Sequence, residues 1–110
     1  MSEHRSDYLQ HLKGKCVALT FEDEKVKVEA VDGWTLHIYN ACTLSGDVRA
    51  RSVGRSLLRL ELLDFLFDDL GMTIIFSGDT YVTVDLTEGG YSGPEAMQLN
   101  GPDGTIVVWS

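Results

Sequence analysis

Residues 55–70 read RSLLRLELLDFLFDDL, and the fold turns on whether they form a helix or a strand. Leucine is a strong helix former, and the stretch is long enough for about four turns. Such a helix would be apolar nearly all round, with only Glu61, Asp64 and Asp68 forming a polar edge. It would also set Arg55 near its N-terminus and Asp68 and Asp69 at its C-terminus. Each charge so placed opposes the macrodipole and costs about 0.3–1 kcal/mol when exposed. That penalty is too small to exclude a buried helix. A shorter helix over residues 52–62, running into a strand over 63–67, is an intermediate solution.

The flanking sequence favours strands. In residues 16–21, Val17, Leu19 and Phe21 alternate with smaller or polar residues. Val26, Val28 and Ala30 do the same after the polar turn Glu22-Asp23-Glu24-Lys25. Asp32-Gly33 is a hairpin signal, because glycine takes φ > 0 without steric cost. Trp34, Leu36 and Ile38 resume the alternation. Together these residues predict a three-stranded antiparallel meander with one apolar face.

The pattern returns 46 residues later without a gap. Val17, Leu19 and Phe21 fall on Leu63, Phe65 and Phe67; Val26, Val28 and Ala30 fall on Met72, Ile74 and Phe76; Leu36 and Ile38 fall on Val82 and Val84. A one-residue slip would reverse every face, so parity held through two turns is stronger evidence than any single strand. Residues 96–100 and 105–109 flank Gly101-Pro102-Asp103-Gly104, a third hairpin signal. Residues 7–13 can form a short helix, with Ser6 as N-cap and Gly14 as the stop. Residues 41–53 then connect the copies, and 87–94 form a loop.

The expected fold is therefore mainly antiparallel β in one domain. It is a duplicated three-strand meander (pseudo-repeats about 15–40 and 61–86) plus a C-terminal hairpin over 96–109, with one or two short helices. The alternative is α+β with a helix at 55–70.

Charge is distributed unevenly along the chain. No lysine or arginine follows Arg59, while nine acids do; the formal net charge of −8 belongs to the C-terminal half. The balance argues against nucleic acid, which needs a basic footprint, and against an anionic membrane surface. No apolar run approaches the roughly 20 residues of a membrane span. The N-terminal residues have no apolar core of the signal-peptide kind. The expectation is a cytoplasmic protein with Cys16 and Cys42 as free thiols.

Few residues point to chemistry. Cys42 lies near His37 and Asp47 in sequence, but no glycine turn presents it as a nucleophile, and a thiol at a strand end explains it as well. His4, His11 and His37 have no metal-ligand spacing. Asp68, Asp69 and Asp79 sit in turns, where aspartate is favoured by its own backbone hydrogen bonds, and they lack the pattern of a Ca²⁺ loop. Arg49, Arg51, Arg55 and Arg59 could hold an anion, or pair with the acidic half. No catalytic residue, metal or cofactor is expected.

The outward face of the first meander would carry Lys25, Lys27, Glu29, Thr35, His37 and Tyr39; that of the second, Leu66, Thr73, Ile75, Tyr81, Thr83 and Asp85. An apolar patch rimmed by acids has the composition of a protein interface, unless a helix covers it.

Gly93–Trp109, GPEAMQLNGPDGTIVVW, resembles the ending of small uncharacterised bacterial proteins with a Gly-Pro-Glu-Ala strand, a Pro-Asp-Gly turn and a final Val-Trp. The DGWTLHI element at 32–38 resembles their hairpins. The resemblance implies no catalytic residues. In size and charge such proteins are similar to the immunity proteins of toxin systems.

The functional expectation is a non-enzymatic acidic protein-binding module, of immunity type, docking a basic protein partner through Asp79, Tyr81, Asp85, Glu88, Tyr91 and Glu95. The alternative is a small-molecule binder or enzyme with a site between the two sheet halves. A homodimer through the Leu66–Ile75–Tyr81 face is a further option.

Overall fold

The computed structural model describes residues 5–22, 25–46, 55–91 and 93–110, with side chains from Asp7 to Phe21, Lys25 to Gly46, Arg59 to Tyr91 and Gly93 to Ser110. Among the described residues nine strands run in chain order: β1 (Lys15–Glu22), β2 (Lys25–Ala30), β3 (Thr35–Ile38), β4 (Cys42–Gly46), β5 (Arg55–Phe67), β6 (Gly71–Phe76), β7 (Thr80–Asp85), β8 (Met97–Asn100) and β9 (Ile106–Trp109). All pairings are antiparallel, in the order β4-β7-β6-β5-β1-β2-β3-β8-β9. Two 3₁₀ segments, Arg5–Leu12 and Glu88–Gly90, complete the fold.

The decisive stretch is a strand. β5 pairs with β1 over Arg55–Leu62 and with β6 over Leu62–Phe67. Pairing with β1 along its first part and with β6 along its last, together with burial of Leu62, outweighs the few tenths of a kcal/mol by which leucine favours a helix. A helix at 55–70 is thus excluded, as is the shorter one, whose residues 55–62 lie in β5; residues 52–54 lie outside the described residues. The helix expected at 7–13 is a 3₁₀ helix over Arg5–Leu12, followed by Gly14 at φ +76°. At about three residues per turn, Leu9 and Leu12 align on one side. Both are buried in the core, and His11 stacks on Trp34 at 4.1 Å.

The two meanders share one register. Leu19 faces Val28 as Phe65 faces Ile74, and Val28 faces Leu36 as Ile74 faces Val82. The correspondence slips at one point. A bulge between Leu62 and Asp64 leaves Leu63 without a partner. Leu63 is 45% exposed, and Leu62, at 0%, takes the inward place expected of it. A bulge inserts one residue and reverses parity on one side of itself only. At the same point β5 changes its pairing partner from β1 to β6.

The expected connector contains a strand, β4, that the alternation did not reveal. β4 lies on β7, the far edge of the second meander, while β8 lies on β3, the far edge of the first. Each copy thus gives its following strand to the other. Ile38 and Cys42 stand four residues apart, a reach of at most about 15 Å. Five strands separate β3 from β4 in the hydrogen-bonded order, which in a flat sheet is about 29 Å. The sheet must therefore curl until β4, at one end, comes back close to β3.

At this seam the N–H groups of Tyr39 and Asn40 donate to Ala96 O, Ala41 N–H donates to Gly90 O, and Asp85 N–H donates to Ala41 O, at 2.8–3.2 Å. Asn40 is fully buried there, and its Nδ2 donates to Asp85 O at 2.8 Å. The concave side is filled by Val17, Leu19, Val28, Leu36, Ile38, Leu62, Met72, Ile74, Phe76, Val82, Val84, Met97 and Leu99.

Candidate protein-docking face

The convex side of β5, β6, β7 and β4 is built in cross-strand rows. One row runs Asp64–Ile75–Tyr81–Ser45, and the next Leu66–Thr73–Thr83–Thr43. Alternation sends the intervening Ile74, Val82, Met72 and Val84 to the core. The middle of this face is hydroxyl, aromatic and aliphatic. Its margins carry Asp64, Asp68, Asp69, Asp79, Asp85 and Glu88.

Among the described residues its only cation is Lys13, whose Nζ lies 2.9 Å from Asp64 Oδ1. Lys13 holds the Asp64 carboxyl below the usual carboxylate range, helped by the Phe65 N–H. The convex side of the other meander differs: Lys27 and Glu29 lie 3.6 Å apart, and Arg59 stands opposite Ala18. The charge imbalance of the sequence has become two faces, one mixed and one of a single sign. The 3₁₀ helix Arg5–Leu12 does not cover the acidic face through its buried side chains, since Leu9 and Leu12 enter the core.

The six expected contacts divide between the two ends of β7. Asp79 and Tyr81 stand at its start. Asp79 occupies a turn at φ +60°, and its Oδ1 accepts the Tyr81 hydroxyl at 2.8 Å. That hydrogen bond, and then the nearby negative charge, push the Tyr81 phenol above its ordinary pKa. Gly46 permits β4 to close on this turn, because a Cβ there would lie 1.9 Å from Asp79 O.

Asp85, Glu88, Tyr91 and Glu95 gather at the other end, by the seam. Asp85 Oδ1 accepts the Thr87 hydroxyl at 2.6 Å and the Thr87 N–H at 2.9 Å, which hold its carboxyl below the ordinary value. Glu88 is exposed, Tyr91 packs half-buried against the core, and Glu95 borders a hollow of about 310 Å³ with Lys25, Tyr39, Gly93 and Pro94. Tyr81 and Asp85 share the convex face of β7, with Thr83 between them. Thr43 and Ser45 belong to the same face and were missed with β4. The alternation of Cys42 and Leu44 was their only signal, and it spans one short strand.

Among the described residues the chemical candidates do not assemble. Cys42 points to the core from β4; its Sγ donates to Asn40 O at 3.3 Å, and burial pushes the thiol up to about 12. His37 is on the convex side of β3, where burial and then Lys27 lower its pKa. Asp47, His4, Arg49 and Arg51 lie outside the described residues, as does the side chain of Arg55. Asp68 Oδ1 accepts the N–H groups of Leu70 and Gly71 at 2.8 and 2.9 Å, which is turn chemistry. Among the described residues no three His, Cys, Asp or Glu side chains come together as a metal site. Both cysteines are free.

Comparison with protein families, with curated proteins and with solved structures found no match. Among the described residues no helix is long and apolar enough to cross a membrane.

Proposed function

We propose that this protein is a non-enzymatic binding module whose acidic face docks a basic protein partner. The observation that carries this reading is the β5-β6-β7-β4 face. It is a formed sheet surface with an uncharged centre and acidic margins, and Lys13 is its only cation among the described residues. Charge of one sign over a rigid surface raises the association rate of an opposite partner and selects against like-charged ones. Tyr81 is the central anchor, since a half-buried tyrosine offers contact area at low entropic cost. Asp79, Asp85, Glu88, Tyr91 and Glu95 supply the margin. An immunity-type role, neutralising a basic toxin in the cytoplasm, is the form of this reading that small size and acidity support. The second reading, a small-molecule site between the two sheet halves, would use the hollow of about 800 Å³ that Cys16, Ala18, Lys27, Glu29, Arg59 and Ser77 border.

The test compares the wild-type protein with a Tyr81→Lys, Asp85→Lys variant as bait in a lysate of the native host, at about 50 and 500 mM salt, where the Debye length falls severalfold. The expected result is a basic polypeptide retained by the wild type at low salt, released at high salt and not retained by the variant. The purified polypeptide should then bind with the same dependence and lose any toxic activity when bound. A partner indifferent to salt and to the variant would refute the electrostatic docking.

A further inference from the structure

β5 is paired on only one side over its last residues. Through Leu62 it has β1 on one flank; over 63–67 it has β6 alone. Among the described residues no strand lies on the other flank. Asp68 N–H donates to Gly71 O, toward β6. By alternation Leu66 and Asp64 also face β6, and the backbone groups of Phe65 and Phe67 face the open flank. Phe65 N–H is held by its neighbour's side chain, Asp64 Oδ1, at 2.8 Å.

This edge is also where apolar surface concentrates. Leu66, Phe67 and Leu70 are 54%, 47% and 68% exposed, and Leu63 stands beside them. Native proteins generally blunt such edges, and an open apolar edge marks a place where another strand can pair.

The register of the edge states what that strand must carry. Asp64, Leu66 and Asp68 alternate on the convex face; on the opposite side Phe65 packs half-buried against the core and Phe67 is largely exposed. A second copy fits poorly. The antiparallel self-pairing that joins each Phe65 to the other chain's Phe67 is centred on Leu66, and so sets Asp64 opposite Asp68 twice. Like charges directly opposite each other destabilise a sheet.

We infer that this edge accepts an extended segment of a basic protein partner by strand addition. The segment carries a basic residue, a β-branched residue, an apolar residue, a β-branched residue and a basic residue in succession. The two basic residues lie opposite Asp64 and Asp68, the central apolar residue packs on Leu66, and the β-branched residues lie over Phe65 and Phe67. Backbone hydrogen bonds to Phe65 and Phe67 hold it, as in other strand-addition complexes. The incoming strand displaces Asp64 from the Phe65 N–H and competes with Lys13 for that carboxylate. The inference rests on the proposed docking of a basic protein and adds the edge and the pattern it reads.

The test is a titration of ¹⁵N-labelled protein with the peptide acetyl-Thr-Lys-Val-Leu-Val-Lys-Thr-amide, followed by amide shifts. The controls are the same peptide with both lysines replaced by glutamate and one N-methylated at both valines. The expected result is saturable movement of the Phe65 and Phe67 amides, absent with both controls. Asp68→Asn keeps an acceptor for the Leu70 and Gly71 amides and should weaken binding about two- to fivefold, the range of an exposed ion pair. Leu66→Lys should abolish it. Equal response to lysine and glutamate peptides would overturn the inference, as would no response at millimolar peptide. Shifts confined to Tyr81, Thr83 and Asp85 would overturn the edge and leave the docking face standing. A lysate partner that binds Leu66→Lys as well as wild type would do the same.

Discussion

Asn40→Asp changes one group at the seam and almost nothing in shape. In the native protein Nδ2 donates to Asp85 O at 2.8 Å inside a fully buried site, and Asn40 Oδ1 has no partner among the described residues. A protonated carboxyl can make the same donation; an ionised one cannot, and it also faces a carbonyl oxygen. Burial of this kind raises a carboxyl pKa by up to about 3–5 units. The folded pKa then lies above the unfolded value of about 3.9. Below pH 3.9 both states hold the proton, and the substitution costs little. Above it the unfolded chain releases the proton while the folded one retains it, so relative stability falls by about 1.4 kcal/mol per pH unit until the folded pKa is reached. Between pH 5.5 and 7.0 the difference from wild type should therefore grow by about 2 kcal/mol. For a chain of this length that corresponds to about 8 °C in melting temperature. Thermal unfolding of both proteins at pH 5.5, 6.25 and 7.0 measures it, and every other titrating group cancels in the difference. A difference that stays constant with pH would refute the buried seam and the role of Asn40 in it.

Leu62→Ala should destabilise the protein by about 2–5 kcal/mol, whereas Leu63→Ala should stay within about 0.5 kcal/mol; urea unfolding separates them, and equal costs would deny the bulge. A thiol reagent at pH 8 should modify Cys16 in the native protein and Cys42 only after unfolding, because burial holds the second thiol up to about 12; rapid modification of both would contradict its inward placement. The Asp85 carboxyl should titrate below its ordinary value. Its two hydrogen bonds from Thr87 therefore favour the folded state above the unfolded pKa and lose that effect as pH falls through the folded one. In Thr87→Val, which retains only the N–H, the NMR midpoint should move back up, and an unmoved midpoint would deny the hydroxyl contact.

Much of the architecture was legible because it depends on local alternation. Val26, Val28, Met72, Ile74, Val82 and Val84 alternate without interruption, and all are buried. The leucines of β5 were ambiguous because leucine packs well in either state, and the partner of its first half, β1, lies about forty residues earlier in the chain. The outward place of Leu63 was hidden for a related reason: a bulge is defined by its pairing, and no residue type announces it. β4 was missed because its outward residues are Thr43 and Ser45 and it borders only one strand. The charge asymmetry could be read directly, but where the acids fall could not: Asp64, Asp79 and Asp85 border the β5-β6-β7-β4 face, while Glu61 stands opposite Cys16 of β1 and Asp103 lies in the turn between β8 and β9. The buried Asn40 had no signal at all, since a polar residue after a strand reads as a turn.

The exchange of β4 and β8 also sets the order in which the chain can become folded. β4 leaves the ribosome well before β7, on which it lies, and β3 must wait for β8, about sixty residues downstream. A nascent chain of the first half therefore has Cys42 and Leu44 with nothing to cover them. Long closures of this kind slow folding, and they leave strand edges open to wrong partners in the interval. Neither meander covers its own far edge: β3 lies against β8, and β7 against β4. The seam at Asn40 can close only after Asp85, Gly90 and Ala96 have been synthesised, since each supplies one of its backbone partners.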